Sequence, residues 1–297
     1  VSEWMPEGRI VKALSGFYYV QAEDAIYQCR GRGVFRKNKV NPLVGDFVEF
    51  ENSNPGEGYI TDVKPRKNEL VRPPIANIDQ AIIVVSAIQP DFSPLLLNRF
   101  LVLIESKHID PIIVISKMDM ISEEQLETIE KYKKDYLEIG YKVITVSTKD
   151  SENLLIAKDH FKEKVSVIAG QSGVGKSSLL NAIHPVLSLE TNEISESLGR
   201  GKHTTRHVEL IPINGGLVAD TPGFSSLEFT EIEAEDLPDC FPEMRERNAD
   251  CKFRGCMHHK EPKCAVKNAV ENNEIPSYRY DHYLQFLEEI QNRKPRY

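Results

Sequence analysis

The chain has 297 residues, enough for two or three domains with one large core. Apolar residues make up 40% and charged residues 28%, the balance of a globular protein, and no apolar run reaches the length of a membrane span. The net charge of −8 excludes a uniformly basic nucleic-acid binder but leaves room for local basic patches. The start, Val1-Ser2-Glu3-Trp4-Met5-Pro6, has neither a basic n-region nor an apolar h-region. No secretion signal and no membrane partner are therefore expected, and the expected location is cytoplasmic.

Residues 8–64 read as all-β. Gly8–Leu14, Phe17–Gln21, Ala25–Cys29, Asp46–Glu51 and Gly58–Val63 are short, β-rich and separated by turn residues such as Ser15-Gly16 and Asn54-Pro55-Gly56. Five such strands suit a small barrel, with an OB-fold the leading expectation and an SH3-like barrel the alternative. Arg30, Arg32, Arg36, Lys37 and Lys39 follow one another with no acid among them. That patch falls on or beside a barrel loop, where OB-folds bind oligonucleotides. Lys64, Arg66 and Lys67 form a second basic cluster and Arg200, Lys202 and Arg206 a third.

Pro65, Pro73 and Pro74 mark a linker. Strand and helix then alternate. Gln80–Ser86 is an apolar strand. Ser93–Lys107 is helical, with Ser93 as N-cap and Pro94 in the first turn. Pro111–Ile115 is a buried strand. Ser122 with Gln125 makes a capping box for a helix that ends at Gly140. Lys142–Val146 is a strand, Glu152–Phe161 a helix and Val165–Ala169 a strand. Alternation of this kind implies a mostly parallel sheet covered on both faces. Val208–Ile213 and Leu217–Ala219 flank Asn214-Gly215-Gly216, a hairpin signal that makes one strand pair antiparallel. The remainder is acidic, then Cys/His-rich, then helical over Tyr280–Asn292.

Gly170-Gln171-Ser172-Gly173-Val174-Gly175-Lys176-Ser177 is a full G-x-x-x-x-G-K-[ST], with a strand before it and a helix after it over Ser178–Ile183. Its glycines let consecutive N–H groups turn toward phosphates, and the helix N-terminus adds partial positive charge. Lys176 is expected to reach the β- and γ-phosphates, and Ser177 to ligate Mg²⁺. Asp220-Thr221-Pro222-Gly223 ends an apolar strand, so Asp220 can hold the Mg²⁺ and the Gly223 N–H can follow the γ-phosphate. Between them lies Gly199-Arg200-Gly201-Lys202-His203-Thr204-Thr205-Arg206. A threonine hydroxyl there, Thr205 first and Thr204 second, would ligate Mg²⁺ and sense the γ-phosphate.

Ser116-Lys117-Met118-Asp119 approaches N-K-x-D. An Asp119 carboxylate can accept from guanine N1–H and the 2-amino group, donors that adenine does not place there. The Lys117 stem can lie along the base. Ser116 departs from the usual Asn. Ser147-Thr148 can offer backbone N–H groups to guanine O6. The base motif precedes the phosphate loop, the reverse of an ordinary small GTPase. With both switches following, the order resembles that of a circularly permuted GTPase, its old ends joined through residues 150–164.

Cys251-x4-Cys256-x-His258-x5-Cys264 offers three thiolates and an imidazole, a closed structural zinc site. His259 is an alternative ligand by spacing. Cys29 and Cys240 are left over as buried thiols.

Barrel, permuted GTPase and C-x4-C-x-H-x5-C cluster in series resemble the ribosome small-subunit-dependent GTPase A (RsgA) family. The likeness is strongest at Gly170–Ser177, His203-Thr204-Thr205, Asp220–Phe224 and Cys251–Cys264. It implies four segments: an OB-fold RNA-binding domain at 1–66, a linker at 67–78, the permuted GTPase at 79–228 and a zinc-binding domain with helices at 229–297. It also implies GTP hydrolysis stimulated by the small ribosomal subunit, binding to that subunit and its rRNA, and a role in its late maturation, with a monomer expected. Phe224 stands where many GTPases keep a water-orienting glutamine, so intrinsic hydrolysis is expected to be slow. His203 is then the candidate for positioning water, alongside Lys176 and Thr205 in the catalytic set; the alternative is a histidine that meets RNA or solvent. Competing readings are a permuted GTPase of the large subunit, an ATP-using P-loop kinase and a zinc-dependent RNA-binding protein with little hydrolysis.

Overall fold

The barrel strands are β1 (Glu7–Leu14), β2 (Phe17–Ala22), β3 (Ala25–Gly31), β4 (Phe47–Asn54) and β5 (Glu57–Val63). In this computed structural model, which describes residues 5–23, 25–31, 41–54, 56–71, 73–147, 151–184, 208–219 and 227–293, they close into a barrel. The closing order is β1-β2-β3-β5-β4-β1, antiparallel except for β3 against β5. Alternation supplies the interior: Ile10, Val20, Cys29, Val48, Phe50 and Ile60 are fully buried. This is the OB-type barrel expected. Cys29 is a core thiol, as expected, and burial pushes it up to about 11.

The stretch read as a linker is built. β6 (Glu69–Val71) and β7 (Pro74–Ala76) form a hairpin. Buried Asp46 accepts from Leu43 N at 2.7 Å, Arg66 Nε at 2.7 Å and Arg66 Nη2 at 2.8 Å. Asn77 Nδ2 donates to Gly45 O at 3.1 Å while its Oδ1 accepts from Lys67 N at 3.0 Å. These charge-assisted and amide bonds clasp the hairpin to the barrel.

The GTPase sheet holds β8 (Gln80–Ser86), β9 (Asp110–Ser116), β10 (Lys142–Thr145), β11 (Val165–Ala169), β12 (Val208–Ile213) and β13 (Gly216–Ala219), in the order β10-β9-β8-β11-β13-β12. Only β12 runs antiparallel to its sheet neighbour, through the expected hairpin. β8 is buried along its whole length and alternates between two cores. Ala81, Ile83 and Val85 face α1 (Pro94–Glu105) and α2 (Glu123–Ile139); Ile82 and Val84 face α3 (Ser151–Asp159) and α4 (Lys176–Ile183). Ser93 caps α1 by accepting from Leu96 N, the Ser122–Gln125 box opens α2, and Gly140 at φ 107° ends it.

β12 also pairs with barrel strand β1, Lys12 opposite Glu209 and Ala13 opposite Val208. A register shift between Ile10 and Lys12 lets β1 pair with β4 at one end and β12 at the other. Barrel and GTPase thus share one hydrogen-bonded run of strands.

The C-terminal region comprises short 3₁₀ turns at Ala234–Cys240 and Asn248–Asp250, α5 (Pro242–Arg245), α6 (Ala265–Glu271) and α7 (Ser277–Gln291). Phe229, Leu237, Phe241, Met244, Tyr283 and Phe286 form its core, together with Val102 from α1. Cys240 lies in this core, the second buried thiol expected. No described helix is long and apolar enough to cross a membrane.

Candidate functional site

β11 delivers the chain into the phosphate loop, and α4 leaves it. Gly170, Gly173 and Gly175 take φ of 138°, 80° and 96°, conformations that favour glycine. At Gly170 a Cβ would stand 2.2 Å from the Val84 carbonyl, so the loop hugs the neighbouring strand. Val174 is buried beneath the loop, whereas Gln171, Ser172 and Gly173 are exposed. Gly175 is the N-cap of α4, so the helix's free N–H groups point into the loop. Lys176 Nζ donates to Gly170 O at 2.8 Å and Gln171 O at 2.7 Å. Burial lowers Lys176 from its ordinary value. Ser177 is buried in the first turn of α4, with Ser178 half-buried beside it.

The base motif arrives beside this loop from the end of β9. An open cleft of about 200 Å³ is lined by Ser116, Lys117, Asp119 and Ser147, by Gly175 and Ser178 of the loop and helix, and by apolar side chains including Leu154 and Leu179. Residues that the sequence separates widely therefore line one cleft. Lys117, at φ 60°, directs its ammonium onto Gly173 O at 2.7 Å and onto the Gln89 carbonyl. Ser116 is buried, and its hydroxyl donates to Val174 O at 2.5 Å, with Val85 O at 3.2 Å. The cleft has the size, apolar walls and convergent polar groups of a small-ligand site. Thr148, His203, Thr204, Thr205, Asp220 and Gly223, also expected at the nucleotide, lie outside the described residues.

The second constellation also assembles. The ligand atoms of Cys251, Cys256, His258 and Cys264 all lie within 4.8 Å of one another. His258 is fully buried and its Nδ1 stands 3.2 Å from Cys264 Sγ and 3.7 Å from Cys251 Sγ. Its Nε2 lies 2.7 Å from Asn248 Oδ1, which makes Nε2 the donor and leaves the Nδ1 lone pair turned to the thiols. His259 is exposed, so the geometry selects His258 between the two. Burial pushes the Cys256 thiol up to about 12; as a metal ligand it would be held as the thiolate. Three soft thiolates and one imidazole fit zinc in a closed tetrahedron with no open position. Tyr280 and Tyr283 donate to the His258 and Met257 carbonyls at 2.6 and 2.5 Å, and Glu261 accepts from Met257 N and His259 N. Asn248 and Gln89 leave no signature in the sequence, because Asn248 meets His258 ten residues away and Gln89 acts through its backbone carbonyl; Glu261, whose carboxylate accepts from N–H groups within four residues, was missed although local.

A family model described as RsgA GTPase matches residues 63–230, and one described as RsgA N-terminal domain matches residues 7–60. The chain belongs to the RsgA GTPase family. RsgA 2 of Oceanobacillus iheyensis, named a small ribosomal subunit biogenesis GTPase, is 68% identical, over 99% of this chain and 100% of its own length. The RsgA of Bacillus subtilis, of the same name, is 63% identical with the same coverage. The crystal structure of YloQ, a circularly permuted GTPase, matches at TM-score 0.86 and 56% identity, covering 99% of this chain and 98% of that one. YjeQ from Thermotoga maritima matches at TM-score 0.87 and 37% identity, covering 98% and 100%. Family membership makes the chain a GTP-hydrolysing enzyme with a circularly permuted GTPase domain, an RsgA-type barrel before it and a Cys3His cluster after it.

Proposed function

We infer that this chain is a GTP-driven switch of small ribosomal subunit biogenesis, acting in the cytoplasm as a monomer. It binds the small subunit and its rRNA through the barrel (1–66) and the zinc domain (229–297), and its hydrolysis is stimulated by the subunit. The observation that carries this reading is near-full-length identity to proteins named for that process, in a chain whose phosphate loop and base cleft are assembled despite the permuted order.

Within the cleft, Asp119 accepts from guanine, the Lys117 stem lies along the base, and Ser147-Thr148 faces O6. The loop amides of Gly170–Ser178 and Lys176 hold the phosphates. Ser177, Thr205 and Asp220 would hold Mg²⁺, which neutralises charge on the β- and γ-phosphates when bound. Thr204 and the Gly223 N–H follow the γ-phosphate. His203 orients the attacking water when the subunit is bound. Cys251, Cys256, His258 and Cys264 hold a structural zinc.

The test is GTP hydrolysis by the parent and His203→Ala proteins with small subunits, large subunits or neither, at two salt concentrations. Stimulation of the parent by small subunits alone, weakened by salt, is expected. His203→Ala should keep GTP affinity and lose the stimulated rate. A salt-insensitive, subunit-independent parent rate would sink the reading, and stimulation by large subunits would redirect it.

A further inference from the structure

Ser116 stands where an asparagine would bring two amide protons; a serine brings one. That proton has a short, buried acceptor in Val174 O at 2.5 Å, the carbonyl that precedes Gly175 in the phosphate loop. The next acceptor, Val85 O at 3.2 Å, is also backbone. The cleft side of Ser116 is therefore left with hydroxyl lone pairs and no donor. On a base whose N1 and 2-amino edge meets Asp119, N7 lies on the edge away from that carboxylate, and Ser116 is a polar group of the same cleft that could meet it. N7 is an acceptor only. Turning the hydroxyl proton to N7 would set the Ser116 oxygen against the Val174 carbonyl at 2.5 Å with no hydrogen between them.

We propose that Ser116 is a positioning residue that ties β9 to the phosphate loop through the Val174 carbonyl, and that this site in consequence leaves guanine N7 unread. Its grip on the base rests on Asp119, on Ser147-Thr148 at O6 and on stacking along Lys117, while affinity depends on Ser116 through the loop. The inference rests on the cleft being the guanine site, and the same titrations test that separately with ADP.

The experiment measures binding of GDP, 7-deaza-GDP (N7 replaced by C–H) and ADP to the full-length parent, Ser116→Ala, Ser116→Thr and Ser116→Asn proteins. In the parent, GDP and 7-deaza-GDP should bind within about two-fold of each other, since no hydrogen bond is lost. Ser116→Ala should weaken both equally, by about ten-fold, and Ser116→Thr, which keeps the hydroxyl, should restore both. Ser116→Asn should create a preference for GDP over 7-deaza-GDP. A parent that discriminates against 7-deaza-GDP by about ten-fold or more would overturn the proposal without any variant being made. Unchanged GDP affinity in a folded Ser116→Ala protein would remove the positioning role. ADP binding as tight as GDP would remove the guanine reading and the proposal with it.

Discussion

Glu243→Gln probes how the C-terminal region is held on the GTPase core. Arg279 of α7 is fully buried; its Nε and Nη2 donate to the two Glu243 oxygens at 2.6 and 3.0 Å. Its Nη1 donates to Asn98 Oδ1 at 2.7 Å, an atom that also accepts from Tyr136 OH at 2.7 Å. One cation therefore ties α5 and α7 to α1 and α2. Burial works to lower the pKa of Arg279, but the Glu243 charge and its hydrogen bonds hold it above the ordinary value. A glutamine turns one acceptor into a donor facing the guanidinium and removes the balancing charge. Breaking such a buried pair from one side costs about 3–5 kcal/mol. That is a large fraction of the roughly 5–15 kcal/mol that keeps a protein folded. The double variant Glu243→Leu/Arg279→Met removes the desolvation penalty with the attraction, and should return to within about 2 kcal/mol of the parent. Urea unfolding followed by far-ultraviolet circular dichroism measures both. A single variant within about 1 kcal/mol of the parent, or a double variant no better than the single, would refute the reasoning.

Three further outcomes are expected. Gly170→Ala places a Cβ 2.2 Å from Val84 O at a φ of 138°, so calorimetry should find GDP affinity reduced by about ten-fold or more in a protein whose circular dichroism is unchanged. Parent protein should contain about one zinc per chain by atomic absorption. Chelation, or Cys264→Ser, should remove it and raise hydrogen exchange around residues 248–268 while the barrel stays protected. His282 has its pKa lowered from 6.5 by burial and then by Arg279, with Asp281 opposing, and its Nδ1 lies 2.7 Å from Asn98 Nδ2. The unfolded imidazole takes a proton that the native one refuses, so this stability is present above pH 6.5 and is lost as pH falls through 6.5 toward the depressed folded value. Urea midpoints at pH 7.5 and 5.5 should differ less for His282→Gln than for the parent; equal differences would show that His282 contributes nothing.

What the sequence revealed were features decided by near neighbours. Short β-rich segments bounded by turn residues such as Ser15-Gly16 located the five barrel strands, because both signals are local. The Ser122–Gln125 box, Ser93 and Gly140 marked helix ends because a cap bonds within three or four residues. The glycines of the phosphate loop are legible because their backbone conformations exclude other residues. What stayed hidden was long-range. Pro73 and Pro74 read as a linker, yet Pro74 opens a strand, since the edge of a two-stranded hairpin needs no N–H there. The pairing of β1 with β12 joins residues nearly two hundred apart in the chain, through Lys12 and Glu209 at 3.0 Å, and neither strand announces it locally. Within the site, Asn248 behind His258 and the Val174 carbonyl behind Ser116 are partners only in space. Spacing put His258 first but left His259 open as an alternative; burial closed it.

Permutation changes which neighbours the proposed nucleotide-sensing stretches have along the chain. In the unpermuted order, the chain after a D-x-x-G stretch continues into the GTPase sheet. Here the sheet ends with β13, which runs parallel to β11, the strand that enters the phosphate loop. Beyond Asp220–Gly223 the chain lands on helices from both regions. Arg99 of α1 donates to Leu227 O at 3.1 Å and forks onto Glu289 of α7. Arg293, past the end of α7, donates to Phe229 O at 2.6 Å and Ile232 O at 3.2 Å. On the other flank, Val208 follows closely after Thr205, and it is at Val208 and Glu209 that β12 pairs with the barrel. The strand that follows the first proposed sensing stretch is paired with the barrel, and the segment that follows the second, from Leu227, is bonded to α1 and to Arg293 beyond the C-terminal α7. If those stretches follow the γ-phosphate as proposed, the permuted order gives each a short covalent path to one of the two flanking regions, through Val208 on one side and Leu227 on the other.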